Sequence, residues 1–545
     1  MSALIFFTSI SKTVASARRS CQSAIKSAPW RGIAALALTA ALSACASLPS
    51  APPSPPSYSL NANPAGELAR IAKASTPSDE ESGFRLLPLG AYSLDARLQL
   101  VRRAQSSLDL QYYVLENDPT GRLLLRELRD AAARGVRVRL LLDDLYTTHT
   151  SELLRALAAF PNVQVRLFNP FCCSRDSGIV SRFAASLFDV RRLNHRMHNK
   201  LFIADGVMAV AGGRNIADEY FMRSADRNFV DVDAFAMGAV VQDLRKIFDT
   251  YWNSDVVYPI ESIERSTRSA ADLQQAFDAD MAAKAVSAPP ELPPVDVIGY
   301  GPLADDFATG RIGLVWGKAY AYADPPDKRN KTTEQARQSS VTFNALMSLW
   351  TAKEEMVITS PYMIPGKLGM QSFTALRGAN VKVTVLTNSL AATDEPLVHT
   401  GYSRYRTDML TLGVEMYELS PSRTQRVKRL GFGTSLGRLH SKTAVVDGQR
   451  LFIGSMNLDP RSESQNTELG LFIDSPELAR ELLRVIQISA QQGAYRLRLQ
   501  PNGSTIEWVT ADGDNQTVTD VEPESTTLLR LQNAFFGFFV PEHLL

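Results

Sequence analysis

The sequence predicts an α/β protein of two related domains, each a mixed β-sheet flanked by helices, related by pseudo-twofold symmetry. Three observations carry this. At 545 residues the chain outgrows one hydrophobic core, which stops enlarging at roughly 250–300 residues. The run Met197-His198-Asn199-Lys200-Leu201-Phe202-Ile203-Ala204-Asp205 recurs as Leu439-His440-Ser441-Lys442-Thr443-Ala444-Val445-Val446-Asp447, with His, Lys and Asp each 242 positions on. Upstream of each copy an Arg-Gly pair precedes a strand-like run: Arg134-Gly135 before Val136–Leu142, and Arg377-Gly378 before Val381–Leu386.

From the N-terminus, residues 1–44 contain no Asp or Glu, and Lys12, Arg18, Arg19, Lys26 and Arg31 precede an apolar run from Gly32 to Leu42. This is the pattern of a secretory signal, too short for a membrane span. It ends Leu42-Ser43-Ala44-Cys45, which resembles a bacterial lipobox and implies that Cys45 becomes the lipidated first residue. Residues 45–82, with Pro49, Pro52, Pro53, Pro55, Pro56 and Pro64, predict an extended linker. The first domain is expected over 83–256. In it Arg122–Ala133 has helical apolar spacing and ends at Gly135, and Val136–Leu142 follows as a strand. Each motif then predicts a hairpin, Lys200–Ala204 with Val207–Ala211 and Lys442–Val446 with Arg450–Ile453, turning at Asp205-Gly206 and Asp447-Gly448. A connector is expected over 257–310, the second domain over 311–492, and a C-terminal extension with an aromatic tail over 493–545.

Composition narrows the function. Fifty-eight basic residues against 57 acidic give a net charge of +1, so no global positive field holds a polyanion, and nucleic acid is not an expected partner. Four cysteines without a CxxC pair make neither a disulfide framework nor a structural zinc site. Beyond the N-terminus no apolar run approaches 18 residues, which excludes a polytopic membrane protein.

On a strand, residues i and i+2 share a face, so each motif presents a His beside a Lys. Imidazole serves as nucleophile, acid or base near neutral pH, and the ammonium supplies charge where an anion would sit. Gly212-Gly213-Arg214-Asn215 and Gly454-Ser455-Met456-Asn457 follow the two hairpins; the glycines admit close backbone approach and the asparagines donate amide hydrogens. Two His, two Lys and two Asn converging from facing halves make a phosphate site with a nucleophile on one side and a proton donor opposite. No Asp/Glu cluster with metal spacing accompanies them, so the expected chemistry needs neither metal nor cofactor.

HxKxxxxD followed by GGRN, and again by GSMN, resembles the paired motifs of the phospholipase D superfamily. The similarity spans roughly residues 83 to 545 and, within the superfamily, is nearest to bacterial cardiolipin synthases of the third type, through Leu110–Glu116, Arg191–Lys200, Ala323–Lys328, Val398–Tyr402 and Gly437–Asn457. The resemblance implies a phosphohistidine at His198 and a general acid at His440. It implies non-bridging oxygens held by Lys200, Lys442, Asn215 and Asn457, with Ser455 contributing a hydroxyl that Gly213 lacks. It also implies an acidic residue accepting a hydrogen bond from an imidazole, the candidates being Asp231 and Glu468. Asp205 and Asp447 complete the repeated catalytic pattern, although the turn alone explains them. The reaction implied is phosphatidyl transfer that makes cardiolipin from phosphatidylglycerol and a second phospholipid, itself phosphatidylglycerol or phosphatidylethanolamine. A hydrolytic phospholipase D releasing phosphatidic acid, a superfamily nuclease and an inactive lipid-binding lipoprotein remain open alternatives.

Other features have bland and sharp readings. His195 and His198 form HxxH, a metal pair only on a helix, whereas the pattern is a strand. His399 lines a head-group pocket or an ordinary loop. Arg423, Arg426, Lys428 and Arg429 meet anionic lipid or simply solvent. Cys172 and Cys173 are adjacent thiols or a vicinal disulfide. The tail with Phe535, Phe536, Phe538 and Phe539 lies in a membrane interface or caps the core. With a lipidated Cys45, the expected location is the bacterial envelope, tethered and facing the periplasm.

Overall fold

The computed structural model describes residues 48, 51–52, 54–172, 178, 181–182, 189–283, 288–328, 341–512 and 515–542. The signal of residues 1–44, the lipidation at Cys45, Cys173 with any Cys172–Cys173 pairing, and His543 lie outside the described residues.

Each half builds a sheet with the same strand order. In the first it runs Ser82–Leu87, Asp233–Gly238, Met208–Gly212, Leu201–Ala204, Ser107–Tyr112, Arg137–Asp143, Val163–Phe168 and Val257–Pro259. In the second it runs Val315–Ala323, Leu469–Asp474, Arg450–Gly454, Thr443–Val446, Glu355–Thr359, Lys382–Asn388, Glu415–Leu419 and Ala494–Leu499. In both, the fifth to seventh strands are mutually parallel and the rest antiparallel. The two sheets join where Ser82–Leu87 pairs antiparallel with Val315–Ala323.

Strand alternation sorts the side chains into layers. Leu201 and Ile203 point to a core shared with Leu451, Ile453, Leu469 and Leu471 of the other half, so the inner sheet faces pack on each other. Phe202 and Ala204 point the other way, under helices that bring Leu98, Leu124 and Leu128. Ala444, Val446 and Phe452 do the same in the second half, against Phe373 and Leu376. The predicted helix begins a turn earlier than its apolar spacing, at Pro119, because Asp118 caps it by accepting a hydrogen bond from the Gly121 N–H. Both hairpins turn through paired left-handed residues, Asp205 (φ 49°) with Gly206 (φ 67°) and Asp447 (φ 52°) with Gly448 (φ 59°).

More of the chain belongs to the two domains than the sequence pattern assigns to them. The linker of residues 45–82 contains the helix Glu67–Ser75, which buries Leu68 and Ile71 in the first core. Upstream of it, Ser59 donates to Asp249 and Asp109, and Arg139 donates to Ser57 O. The connector of 257–310 gives the first sheet its last strand and sends Leu303 and Phe307 into the first core. The extension of 493–545 adds three strands to the second sheet and the helix Thr527–Phe539. Among the described residues no helix is long and apolar enough to cross a membrane.

Candidate active site

Backbone pairing across the halves builds the site. Strand Arg227–Val230 runs parallel to Leu436–Leu439, and the His440 N–H donates to Val230 O at 2.8 Å. The counterpart pairs Met197 with Thr467, and the His198 N–H donates to Thr467 O at 2.9 Å. Each histidine therefore lies beside a strand of the opposite half, one residue before that strand's acid. The consequence is a crossed arrangement. His198 Nδ1 lies 2.9 Å from Glu468 Oε2, and His440 Nδ1 lies 2.7 Å from Asp231 Oδ2. A carboxylate at Nδ1 fixes the tautomer with the proton there, leaving Nε2 with its lone pair. Both imidazoles line one cavity of about 390 Å³. Their rings are held edge-on by Tyr113 beside His198, at 5.0 Å, and by Tyr220 beside His440, at 5.1 Å.

The lysines repeat the symmetry. Lys200 Nζ donates to His198 O and Lys442 Nζ to His440 O, each at 2.6 Å, and both are buried. Burial pushes Lys200 down to about 7 and Lys442 down to about 8, against the pull of nearby carboxylates. Burial, then the two ammonium groups, holds both imidazoles well below their ordinary range, so each is neutral near pH 7. Glu468 is pushed up to about 7 by burial, with Lys200 opposing. Asp231 is raised by burial and lowered in turn by Arg214.

The remaining expected residues divide. Asn215 and Asn457 line the cavity; Asn215 Nδ2 donates to the Tyr220 hydroxyl at 3.0 Å. Ser455, expected at the phosphate, instead donates its hydroxyl to Glu468. The same contact explains the first-half glycine. A Cβ on Gly213 would sit 2.3 Å from Asp231 Oδ1, so the shorter acid occupies the space that a serine would need. Asp205 and Asp447, counted with the catalytic set, are both committed to backbone. The Asp205 carboxylate accepts from the N–H groups of Gln105, Ser106 and Ser107, and that of Asp447 from Lys353, Glu354 and Glu355. These bonds tie each hairpin turn to the start of the first of the three parallel strands, a structural task.

His195 is buried between the halves, its ring nitrogens 2.6 Å from Gln465 O and 3.0 Å from Pro326 O. His399 faces Arg406 and Glu522 behind the cavity rather than the cavity itself. Sequence reasoning passed over the cavity's aromatic and acidic lining: Tyr146, Tyr362, Glu219, Asp394 and Glu395, together with Arg461. These come from several segments at no periodic spacing, Glu219 on the short helical turn Asp218–Tyr220 and Arg461 on the helix Pro460–Ser464; outside the repeated motifs, Tyr113 and Glu116 within Leu110–Glu116 and Val398 within Val398–Tyr402 are lining residues that carried a signal.

The chain is 36% identical over 491 residues to cardiolipin synthase C of Escherichia coli strain K12, covering 88% of this chain and all of that one. It is 26% identical over 398 residues to cardiolipin synthase 2 of Staphylococcus epidermidis, covering 72% of this chain and 65% of that one. Phosphatidylserine synthase of Haemophilus influenzae Rd KW20 shares the fold, with a TM-score of 0.54 at 14% identity over 85% of this chain and 95% of that one. The family described as cardiolipin synthase, PLD-like domain, matches residues 98–252 and 346–488, the two segments that carry the two histidines, and the chain belongs to it.

Proposed function

We propose that the protein is a phosphatidyltransferase that makes cardiolipin through a phosphohistidine at His198. The observation that carries this reading is the pair of imidazoles, one from each half, opening on one cavity with each Nδ1 held by the other half's acid. His198 Nε2 attacks the phosphorus of a donor phospholipid; the P–N bond forms as the P–O bond to the head-group alcohol breaks. His440 gives that oxygen its proton. The anionic phosphodiester, held between Lys200 and Lys442 with Asn215 and Asn457 at its oxygens, offsets the two ammonium groups that help keep His440 neutral. The imidazole thereby gains the proton it delivers. In the second half-reaction a phosphatidylglycerol hydroxyl returns a proton to His440, and its oxygen displaces His198 from phosphorus.

The cavity wall favours phosphatidylethanolamine as donor. Glu116, Glu219, Asp394 and Glu395 line it, and among the described lining residues the cation is Arg461. Carboxylates so placed suit an ammonium head group and disfavour a polyanion such as DNA. Burial and Asp394 push Glu219 up to about 7, and an arriving ammonium would stabilise its ionised form. Purified protein supplied with labelled phosphatidylglycerol is expected to form several-fold more cardiolipin when phosphatidylethanolamine is added, releasing ethanolamine. Glycerol as the sole released alcohol would reassign the donor, and phosphatidic acid as the sole lipid product would make the enzyme a hydrolase.

Two features suit a bilayer substrate. Lipidation at Cys45 would tether the chain on the periplasmic side of the envelope, and metabolic incorporation of labelled fatty acid, abolished by Cys45→Ala, tests it. The helix Thr527–Phe539 packs on the helix Pro396–Ser403, whose Leu397 and Val398 line the cavity, through Arg404 donating to Val540 O at 3.2 Å. Its outer stripe of Leu528, Leu531, Phe535 and Phe539 is 54–65% exposed, the pattern of an interfacial helix. Tryptophan at Phe535→Trp is expected to add blue-shifted emission, quenched by acyl-brominated lipid, when phosphatidylglycerol vesicles are supplied. Emission unchanged by vesicles would remove this helix from the membrane reading.

A further inference from the structure

We propose that Lys328 and Asp324 are positioning residues for the nucleophile, an ion pair behind Glu468 that fixes the carboxylate orienting His198. The inference rests on the reading of His198 as nucleophile.

Backbone register places the pair. Ala323 pairs with Leu469 at the end of the strand, and the next residues extend that pairing: the Asp324 N–H donates to Glu468 O at 2.9 Å, and the Glu468 N–H donates to Asp324 Oδ2 at 3.0 Å. On the other side Thr467 is hydrogen-bonded to Arg196 and His198. Glu468 is therefore clamped between the nucleophile's own segment and Asp324. Lys328 completes the clamp. Its ammonium, buried to 1% exposure, donates to Asp324 Oδ2 at 2.7 Å and to Ser462 O and Asn466 O at 2.9 Å each, satisfying all three protons. Tyr251 of the first half donates to Asp324 O at 2.5 Å, so the pair also bridges the halves.

The duplication shows why a separate cation is needed. In the first half Arg214, within GGRN, is the foremost positive charge on Asp231 and donates to Asp231 O at 2.5 Å. The matching position of GSMN is Met456, which carries no charge. Lys328, from outside the repeated motif, supplies the cation on the Glu468 side. Glu468 is faced by His198 and Lys200 from the first motif, Lys442 from the second, Asp459 from the following loop, Tyr251 from the helix Ala239–Trp252, and Lys328 and Asp324. Of the cations, Lys200 and Lys442 stand beside the histidines and meet the phosphate. Lys328 alone among these three is pinned behind the carboxylate, where its charge persists through the cycle.

The test is the pH dependence of kcat/KM for phosphatidyl transfer by the full chain, in wild type and in Lys328→Met, Lys328→Arg and Asp324→Asn. An ionised Glu468 is the active form, so activity rises with pH through its titration. Loss of the Lys328 charge moves that acid limb to higher pH by about one unit, giving about a tenfold loss on its acid side. Lys328→Arg restores the limb toward wild type. Asp324→Asn, which removes a negative neighbour, moves it to lower pH. A merely structural pair would lower activity at every pH without moving the limb, and an unmoved limb in soluble Lys328→Met and Asp324→Asn overturns the proposal. If Lys328→Met fails to fold, the sign of the shift in Asp324→Asn decides: a shift to lower pH supports the role, and none or the opposite overturns it. A wild type with no transfer at any pH would instead sink the transferase reading.

Discussion

Replacing His198 by alanine is expected to lower kcat for phosphatidyl transfer by a factor on the order of 10⁴ or more, about 5 kcal/mol or more of lost transition-state stabilisation. Among the described residues, no other group at the cavity both carries an uncommitted lone pair and has a carboxylate fixing its tautomer, except His440, which in this reaction serves the leaving oxygen. KM should change little, because Lys200, Lys442 and the asparagines that hold phosphate remain. His440→Ala should cost less, on the order of 10²–10⁴, since it removes proton transfer but leaves the attack. Rapid-quench trapping of the acid-labile, base-stable phosphoenzyme separates the two. It should vanish in His198→Ala and still form, slowly, in His440→Ala. Phosphoenzyme persisting in His198→Ala would move the nucleophile to His440.

Glu468→Gln is the second large effect, a fall in kcat of roughly 10³–10⁴ with the fold intact. Glutamine keeps the shape, but its amide can donate to Nδ1 and so favours the tautomer with the proton on Nε2, where the lone pair is needed. The pH profile gives the sharper sign. The wild-type carboxylate titrates at about 7, so activity rises as pH climbs through that value and the anion forms. His198, held well below its ordinary range, is already neutral there and adds no second limb. Glutamine does not titrate, and the limb near pH 7 should disappear from the residual activity. Its survival would show that another group controls the wild-type profile.

The two histidines, two lysines and the hairpins were legible because a duplicated local pattern needs only the chain's own order to be seen. The crossing of acids was not. Nothing in the spacing of Asp231 or Glu468 says which imidazole each meets; that depends on Arg227–Val230 lying beside Leu436–Leu439, a contact across 209 positions. Ser455 was read toward the phosphate because a hydroxyl suits either neighbour, and Glu468 had the nearer claim. Apart from Glu116, the cavity's carboxylates come from segments with no repeat and no periodicity, so only folding gathers them. The Pro-rich linker concealed Leu68 and Ile71 for another reason: proline content describes the segment's stiffness, while burial was decided by one short helical stretch inside it.

The exchange of acids between repeats also bears on how such a chain can change over time. A duplicated domain ordinarily carries a spare, and one copy is free to accumulate substitutions while the other keeps working. Here each copy is the custodian of its twin's imidazole, so an altered Asp231 is felt at His440 and an altered Glu468 at His198. Neither repeat can decay, be shed or be traded for a foreign one without disarming the copy that stays behind. Ancestry gave the molecule two of everything, and the interlacing of the halves has left it with no redundancy.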